Sequence, residues 1–297
     1  MKRGLRHFAV RSGPLCLLLV CSCASDDSLR SGGPCAASFR KDAGRGGPLV
    51  VMVGLQRGEK LPFLLDTGSA ATCLDKSLEP RLGKRLGPVT AVNFGVEHGA
   101  NLYEAPPLYL GTTPLTMIGP SVVTFDFKRA PPRIDRLYVG ILGMDVLLNY
   151  CLQLDFTSHE IRFLAKDQVD GSSCGKPFQL TDVGDGCVSI GENLVGGKEP
   201  GSLIDTGCRW DGWLTPACFR QWTNQPALGA RPRMGFHYGM LGGETYPEIE
   251  LTEQPPVGDD LHIKLNGIGL GFLARHLVTF DFPNRTMYLK RTSAASR

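Results

Sequence analysis

The sequence FLLDTGS occupies residues 63–69, and the related sequence SLIDTGC occupies residues 202–208. In both, a short apolar run ends in Asp-Thr-Gly, which places Asp66 and Asp205 in the same local setting. One Asp-Thr-Gly is a weak signal because Asp and Gly are common in turns. Two copies after similar apolar runs indicate an internal duplication.

Each of the two sequences follows the pattern of a β-hairpin. Strands are predicted at 49–53 and 61–65 in the first copy, and at 188–190 and 202–204 in the second. A polar, Gly-containing turn separates the strands of each pair, as is typical of hairpins. We therefore expect each Asp-Thr-Gly loop at the end of a hairpin strand.

The two copies also end alike, with an apolar segment containing Gly, a short helix and a closing hairpin. The apolar segments are ILG at 141–143 and GLG at 269–271. Asp145 follows the first segment and has no aligned acid in the second copy, which favours a helix-start role. The closing hairpins are predicted at 152–156 with 161–164 and at 278–282 with 286–289.

These motifs resemble those of the aspartic peptidases, the family of pepsin and the retroviral proteases, over about residues 47–290. The resemblance implies a mostly β fold: two retropepsin-like β-barrel lobes in a bilobal acid-protease fold, with a cleft between them. It implies an aspartic endopeptidase with Asp66 and Asp205 as the catalytic pair. The dyad-supporting residues would be Thr67, Gly68, Ser69, Thr206, Gly207 and Cys208.

The implied chemistry needs two carboxyl groups held about 3 Å apart, where they share one proton. The ionised carboxylate takes a proton from water, and the protonated carboxyl donates to the scissile carbonyl oxygen. By resemblance, Thr67 and Thr206 would lock the loops together. Gly68 and Gly207 would let backbone amides approach the carboxylates. No cofactor is expected, and the partner would be a peptide or protein substrate.

The second copy departs from the family pattern at Cys208, because Ser, Thr or Ala is usual there and a hydroxyl can bond the neighbouring carboxylate. By position, the flaps would be residues 93–99 and 238–243, although the first lacks strong flap signatures. These departures favour an alternative function, a catalytically inactive aspartic-peptidase-like module that binds peptide or protein. In another alternative, the lobes are separate modules without a joint site.

Residues 1–23 have the pattern of an export signal. Four basic residues lie within the first eleven positions, and a short apolar core follows at 15–20. A lasting transmembrane helix needs roughly 20 apolar residues, so this core is too short to span a membrane. The sequence VCSC at 20–23 resembles the processing box of bacterial lipoproteins, which implies a lipid on Cys23. An ordinary secretory signal is the alternative.

Residues 24–47 are rich in Ser, Gly and charged residues, which predicts a flexible tether. The N-terminal lobe is predicted at 48–166 and the C-terminal lobe at 167–297. We therefore expect an exported monomer, anchored by lipid to a membrane of the cell envelope and facing the periplasm or the outside.

Composition and spacing argue against other classes of protein. The 297-residue chain has a formal net charge of only +3 and no long Lys/Arg run, so no nucleic-acid partner is expected. The histidines form no HExxH pattern, so no metal site is expected. Beyond the export signal, an odd number of cysteines leaves the disulfide pattern open. They are Cys35, Cys73, Cys151, Cys174, Cys187, Cys208 and Cys218.

Overall fold

The structure is a computed structural model, and it is mostly β. It describes residues 8–11, 35–93, 96–129, 137–164, 168–184, 186–196, 201–224, 234–254 and 265–292. The predicted lobe boundary at 166/167 and the predicted lipidated residue, Cys23, therefore lie outside the described residues.

Short strands dominate both halves of the described chain. The first half contains β1 (Phe8–Arg11), β2 (Cys35–Ser38), β3 (Val50–Val53), β4 (Leu61–Leu65), β5 (Cys73–Asp75), β6 (Arg85–Asn93), β7 (Val96–Glu104), β8 (Leu108–Leu110), β9 (Thr113–Leu115), β10 (Ser121–Phe125), β11 (Gly140–Leu142), β12 (Cys151–Asp155) and β13 (Glu160–Leu164). The second half contains β14 (Lys176–Gln179), β15 (Thr181–Asp182), β16 (Val188–Ile190), β17 (Ser202–Asp205), β18 (Gly212–Leu214), β19 (Met234–Leu241), β20 (Glu244–Glu253), β21 (Asn266–Gly269), β22 (His276–Asp281) and β23 (Thr286–Arg291). The helices are short: a 3₁₀ helix (Lys76–Arg81), α1 (Met144–Leu147), α2 (Gly171–Cys174), α3 (Pro216–Thr223) and α4 (Leu270–Leu273).

The same pairing pattern surrounds the Asp-Thr-Gly strand of each lobe. Strand β4 is antiparallel to β3 and parallel to β11, and β17 is likewise antiparallel to β16 and parallel to β21. These strands belong to an eight-stranded sheet in the first lobe and a seven-stranded sheet in the second. The two predicted hairpins are therefore confirmed. A distant strand lies beside each loop and holds it from the other side.

The closing hairpins of the two lobes form one shared sheet. Its strand order is β14-β23-β22-β12-β13-β2. Strands β12 and β22 are antiparallel neighbours across the junction, from Cys151 opposite Asp281 to Asp155 opposite Leu277. Main-chain hydrogen bonding through this junction sheet connects the lobes, which argues against the alternative of two separate modules.

The expected tether is shorter than predicted. Within residues 24–47, the stretch 24–34 lies outside the described residues, but Cys35–Ser38 pairs with β13 at the edge of the junction sheet. The side chains of Phe39 and Ala43 are buried in the main core. The Ser- and Gly-rich composition predicted flexibility because it does not reveal such pairing with a strand more than 100 residues away. The folded body therefore already includes residue 35.

Near the N-terminus, the described segment Phe8–Arg11 lies within the predicted export signal. It pairs antiparallel with residues 90–93 of β6, at the edge of the first-lobe sheet. Among the described residues, no helix combines the length and hydropathy needed to cross a membrane.

A buried histidine lies in the core of the second lobe. The His276 ring contacts the Phe272 carbonyl through Nδ1 at 3.2 Å and the Tyr246 hydroxyl through Nε2 at 3.0 Å. A carbonyl only accepts hydrogen bonds, so the neutral ring donates from Nδ1 and accepts at Nε2. Burial lowers the pKa of His276 from 6.5 to about 4, and the charges of Glu244 and Arg291 lie nearby.

This histidine should destabilise the fold at acid pH. Between pH 6.5 and 4 the unfolded chain binds a proton at this position and the folded chain does not, so falling pH favours unfolding. From His276 alone, we expect a loss of about 2 to 3 kcal/mol in the free energy of unfolding of the wild type between pH 7.5 and 4.5. Urea titrations would measure this loss, which His276→Gln should remove. An equal loss in His276→Gln, or its removal by His237→Gln at an exposed histidine, would contradict the assignment.

Candidate active site

The two Asp-Thr-Gly loops lie face to face and are joined through their threonines. The Thr67 hydroxyl donates to the Ile204 carbonyl and the Thr206 hydroxyl donates to the Leu65 carbonyl, both at 2.8 Å. Each hydroxyl also accepts the backbone N–H of the other threonine at 3.0 Å. Both threonines are fully buried. These four reciprocal bonds form the locked arrangement that the resemblance implied for Thr67 and Thr206.

The carboxyl groups of Asp66 and Asp205 are buried in the centre of this arrangement. Asp66 is 8% exposed and Asp205 is 3% exposed. The Gly68 amide donates to Asp66 at 2.8 Å, and the Gly207 amide donates to Asp205 at 2.8 Å. A Cβ on Gly68 would lie 2.7 Å from the Asp205 carboxyl carbon, and one on Gly207 would lie 2.7 Å from that of Asp66. Each glycine therefore packs against the carboxyl group of the opposite loop.

The two carboxyl groups are also hydrogen-bonded to each other. Burial raises the pKa of Asp205, and the side-chain hydrogen bond with Asp66 and the amides of Gly207 and Cys208 oppose part of that rise. Two acids in contact cannot both ionise cheaply, so a pair of this kind holds one proton over a range of pH. The arrangement can therefore supply a carboxylate and a carboxylic acid side by side.

The residue after each Asp-Thr-Gly makes a different contact from the one that the resemblance implied. The Ser69 hydroxyl donates to the Ala71 carbonyl at 2.9 Å. In the second loop, the backbone amide of Cys208 donates to Asp205 at 3.1 Å. Burial, followed by the charge of Asp205, raises the pKa of the Cys208 thiol. Cys208 is therefore a neutral thiol that supports Asp205 through its main chain.

The second apolar–Gly segment is shifted by two residues from its predicted place. Leu65 pairs with Leu142 in the first lobe, and the equivalent Ile204 pairs with Ile268 in the second. Segment 267–269 therefore corresponds to 141–143, and the prediction of 269–271 was wrong. The sequence GIGLG at 267–271 offers two overlapping apolar–Gly patterns. Only the parallel pairing with β17 decides between them.

Of the two flap predictions, the first falls on a hairpin. Residues 93–99 include the end of β6 and the start of β7, and Asn93 pairs with Val96. Positions 94 and 95 lie outside the described residues.

The second flap prediction, residues 238–243, was wrong. In the second lobe, β19 is antiparallel to β20, which is parallel to β18. In the first lobe, β7 is in the same way antiparallel to β10, which is parallel to β5. The β19–β20 hairpin therefore corresponds to β7 and β10. Its tip contacts the end of the junction sheet, where Gly242 bonds Lys176 and also donates to Glu192 at 2.8 Å. Alternating apolar residues before a Gly-Gly turn do not distinguish these two kinds of hairpin.

Sequence reasoning missed an ion pair behind the second loop, between a buried aspartate and a partly exposed arginine. Asp211 accepts from Arg275 at 2.5 Å and from the Glu250 amide at 2.8 Å. Asp211 itself is 5% exposed. The signal in the sequence is its spacing: Asp211 lies six residues after Asp205, and Thr72 lies six residues after Asp66 at the equivalent position of the first lobe.

Cysteine and metal chemistry find little support in the described part of the chain. Cys35, Cys73, Cys174, Cys208 and Cys218 are free thiols, and burial raises the pKa of Cys73 well above its usual value. A thiolate nucleophile is therefore disfavoured at Cys73 and at Cys208. Among the described residues, no group of three His, Cys, Asp or Glu side chains is arranged to hold a metal ion.

The fold is similar to that of known acid proteinases. No family model matches the chain, and no curated protein matches its sequence. The aspartic proteinase from Irpex lacteus superposes with a TM-score of 0.53 and 16% identity, over 89% of this chain and 99% of that one. Basic 7S globulin from soybean gives a TM-score of 0.56 and 13% identity, over 89% and 96%. These likenesses confirm the predicted bilobal, mostly β acid-protease fold.

Proposed function

We propose that this protein is an aspartic endopeptidase that hydrolyses peptide bonds with a water molecule activated by Asp66 and Asp205. The main support is the buried, hydrogen-bonded contact between these two carboxyl groups, which come from different lobes. Four threonine hydrogen bonds hold the loops that carry them. A structural turn would need neither this burial nor this pairing.

In the proposed reaction the pair carries one proton. The ionised carboxylate removes a proton from water as its oxygen bonds to the peptide carbonyl carbon. The carboxylic acid donates its proton to the carbonyl oxygen, which gives a neutral tetrahedral diol. As the C–N bond breaks, one diol hydroxyl returns its proton to a carboxylate, and the leaving nitrogen takes a proton from the pair. The residues end with the single proton with which they began.

The substrate would be a peptide or an unfolded protein segment. An extended chain can lie between the lobes and pair its backbone with the β6–β7 hairpin. Anchoring of the protein by lipid on Cys23, its location in the cell envelope and its action as a monomer are also proposals. They rest on the N-terminal sequence pattern and on the presence of both lobes in one chain.

A second candidate function is binding of peptide or protein without hydrolysis. The contacts of Ser69 and Cys208 favour it, because the Ser69 hydroxyl donates to Ala71 and a partly buried thiol replaces a hydroxyl in the other loop. The dyad and both of its glycines are present in full, which favours the peptidase.

Cleavage of an unfolded protein substrate between pH 4 and 8 tests the proposed function. We expect wild type to cleave, and Asp66→Asn to lose at least about 1,000-fold in kcat/KM. Asp170→Asn is the control, since the bonds of Asp170 to Ser172 and Ser173 lie around the start of α2, away from the two loops. Circular dichroism at each pH would establish that the protein is folded, because His276 weakens the fold in acid. Folded wild type that cleaves nothing but binds peptide would favour the second function.

A further inference from the structure

A buried carboxylate holds the segment that follows the first Asp-Thr-Gly loop. Asp145 accepts the Thr72 amide at 2.8 Å and the Thr72 hydroxyl at 2.6 Å. The Thr72 hydroxyl in turn accepts the Gly143 amide at 3.2 Å. Thr72 is fully buried, so its amide depends on this carboxylate for a hydrogen-bond partner. Asp145 thus connects the start of α1 to the chain that leaves the loop.

The second lobe also has a carboxylate between the helix and the chain that leaves the loop. In the first lobe this carboxylate belongs to the helix, and in the second lobe it belongs to the chain that leaves the loop. The acid is Asp211, on the chain that leaves the loop, and the residue on the helix is Gly271. A Cβ on Gly271 would lie 2.9 Å from the Asp211 carboxylate oxygen. Space for this acid therefore depends on the glycine. The pair Thr72 and Asp145 corresponds to the pair Asp211 and Gly271.

Two sets of hydrogen bonds establish this correspondence, one from main-chain amides and one from side chains to main-chain carbonyls. The Met144 amide donates to the Ser69 carbonyl at 2.8 Å, and the Leu270 amide donates to the Cys208 carbonyl at 2.7 Å. At the other end of the two helices, Asn149 donates to the Thr116 carbonyl and Arg275 donates to the Pro247 carbonyl. The chain at the end of α1 is therefore bonded to the segment before β10, and the chain at the end of α4 is bonded to β20. Arg275 adds the charge that pairs with Asp211.

We propose that Asp145 and Asp211 are equivalent positioning residues that fix the orientation of the Asp66 and Asp205 loops. This inference rests on the proposed peptidase function. Neither acid belongs to the dyad. Each holds the chain six residues after a catalytic aspartate, on the side where the chain leaves the loop. A displacement of about 1 Å in such a loop can lower a rate about 100-fold.

Alanine at the first of these positions is the primary test. Asp145→Ala leaves the buried Thr72 amide without its acceptor, and we expect kcat to fall about 100-fold with little change in KM. Asp145→Asn keeps an oxygen for this amide, so the loss should be smaller. Asp170→Ala is the matched control, because Asp170 also accepts one amide and one hydroxyl, both from Ser172. It should retain wild-type kcat.

The duplication also supplies a rescue variant. The triple substitution Thr72→Asp, Asp145→Gly and Asn149→Arg copies the second-lobe arrangement into the first lobe. If the two acids are equivalent, this variant should recover kcat to within about tenfold of wild type. Asp145→Gly alone should remain as low as Asp145→Ala.

Hydrogen exchange gives a readout that does not depend on activity. The amide of residue 72 should exchange at least about tenfold faster in Asp145→Ala than in wild type or Asp170→Ala. Folded Asp145→Ala with wild-type kcat, or with wild-type exchange at this amide, would overturn the proposal. A wild type without peptidase activity would instead count against the proposed function, and exchange would still decide whether Asp145 positions the loop.

Discussion

Gly207→Ala should reduce peptide hydrolysis by at least about 100-fold while the protein remains folded. A methyl group at this position would lie 2.7 Å from the Asp66 carboxyl carbon and from both of its oxygens, closer than real Cβ contacts allow. The carboxyl group must move, and it is hydrogen-bonded to Asp205, so the shared proton site changes. Measurement of kcat/KM with an unfolded protein substrate would test this. Gly68→Ala should have a similar effect, because its methyl group would meet the Asp205 carboxyl.

Gly191→Ala is the control for both substitutions. Among the described residues, a Cβ at Gly191 would meet no atom within 4 Å, and this residue follows β16 of the same lobe. The activity of the Gly191→Ala variant should match that of wild type. Wild-type hydrolysis by Gly207→Ala would mean that the Asp66 carboxyl group need not occupy its present place, and the dyad geometry described above would then be irrelevant to function.

Thr206→Val should destabilise the fold by about 3 kcal/mol. Valine has nearly the volume of threonine but cannot donate to the Leu65 carbonyl or accept the Thr67 amide, both of which are buried. An unsatisfied buried polar group costs about 1–3 kcal/mol, and this substitution leaves two. Urea unfolding of the purified protein would measure the change. Because the two loops share these bonds, Thr67→Val with Thr206→Val should cost less than the sum of the single changes.

Thr223→Val provides the comparison for Thr206→Val. Its hydroxyl donates to the Phe219 carbonyl at 2.8 Å, within α3, and the side chain is only partly buried. We expect a change below about 0.5 kcal/mol. Equal stability of Thr206→Val and Thr223→Val would show that the lock between the loops contributes little to holding the lobes together.

The local features of the fold were predictable from the sequence because they depend on nearby residues. Apolar runs bounded by Gly-rich turns located the strands before both Asp-Thr-Gly loops, and the closing hairpins followed the same rule. Duplication then placed Asp66 and Asp205 in equivalent positions. The contact between the two loops was predicted from the family resemblance, because spacing in the sequence does not show that two distant loops meet.

Features that depend on distant pairing were not predictable. Whether segment 267–269 or segment 269–271 corresponds to segment 141–143 depends on which residues pair with β17. Gly267, in the first of these segments, leaves space for the Trp213 ring. A Cβ there would lie 2.4 Å from the Trp213 ring. In the first lobe Ile141, at the position of Gly267, pairs with Cys73 and not with Leu74, the counterpart of Trp213, so the two lobes differ in register here.

The acids behind the loops escaped prediction for the same reason. Asp145 and Asp211 occupy positions that do not align, and their similarity appears only when both partners of each contact are known. The strand β2 within the expected tether is likewise defined by a partner strand far along the chain.

The most direct test of the central claim compares the kcat of Asp66→Asn, Asp205→Asn and the double substitution with that of wild type. Two carboxyl groups that act as one catalytic pair have strongly non-additive effects, because either single loss destroys the shared-proton site. We expect each single variant to lose at least about 1,000-fold in kcat and the double variant to lie within about tenfold of the single variants. If one single variant keeps more than a tenth of wild-type kcat, or if the losses multiply in the double variant, Asp66 and Asp205 do not form one catalytic pair.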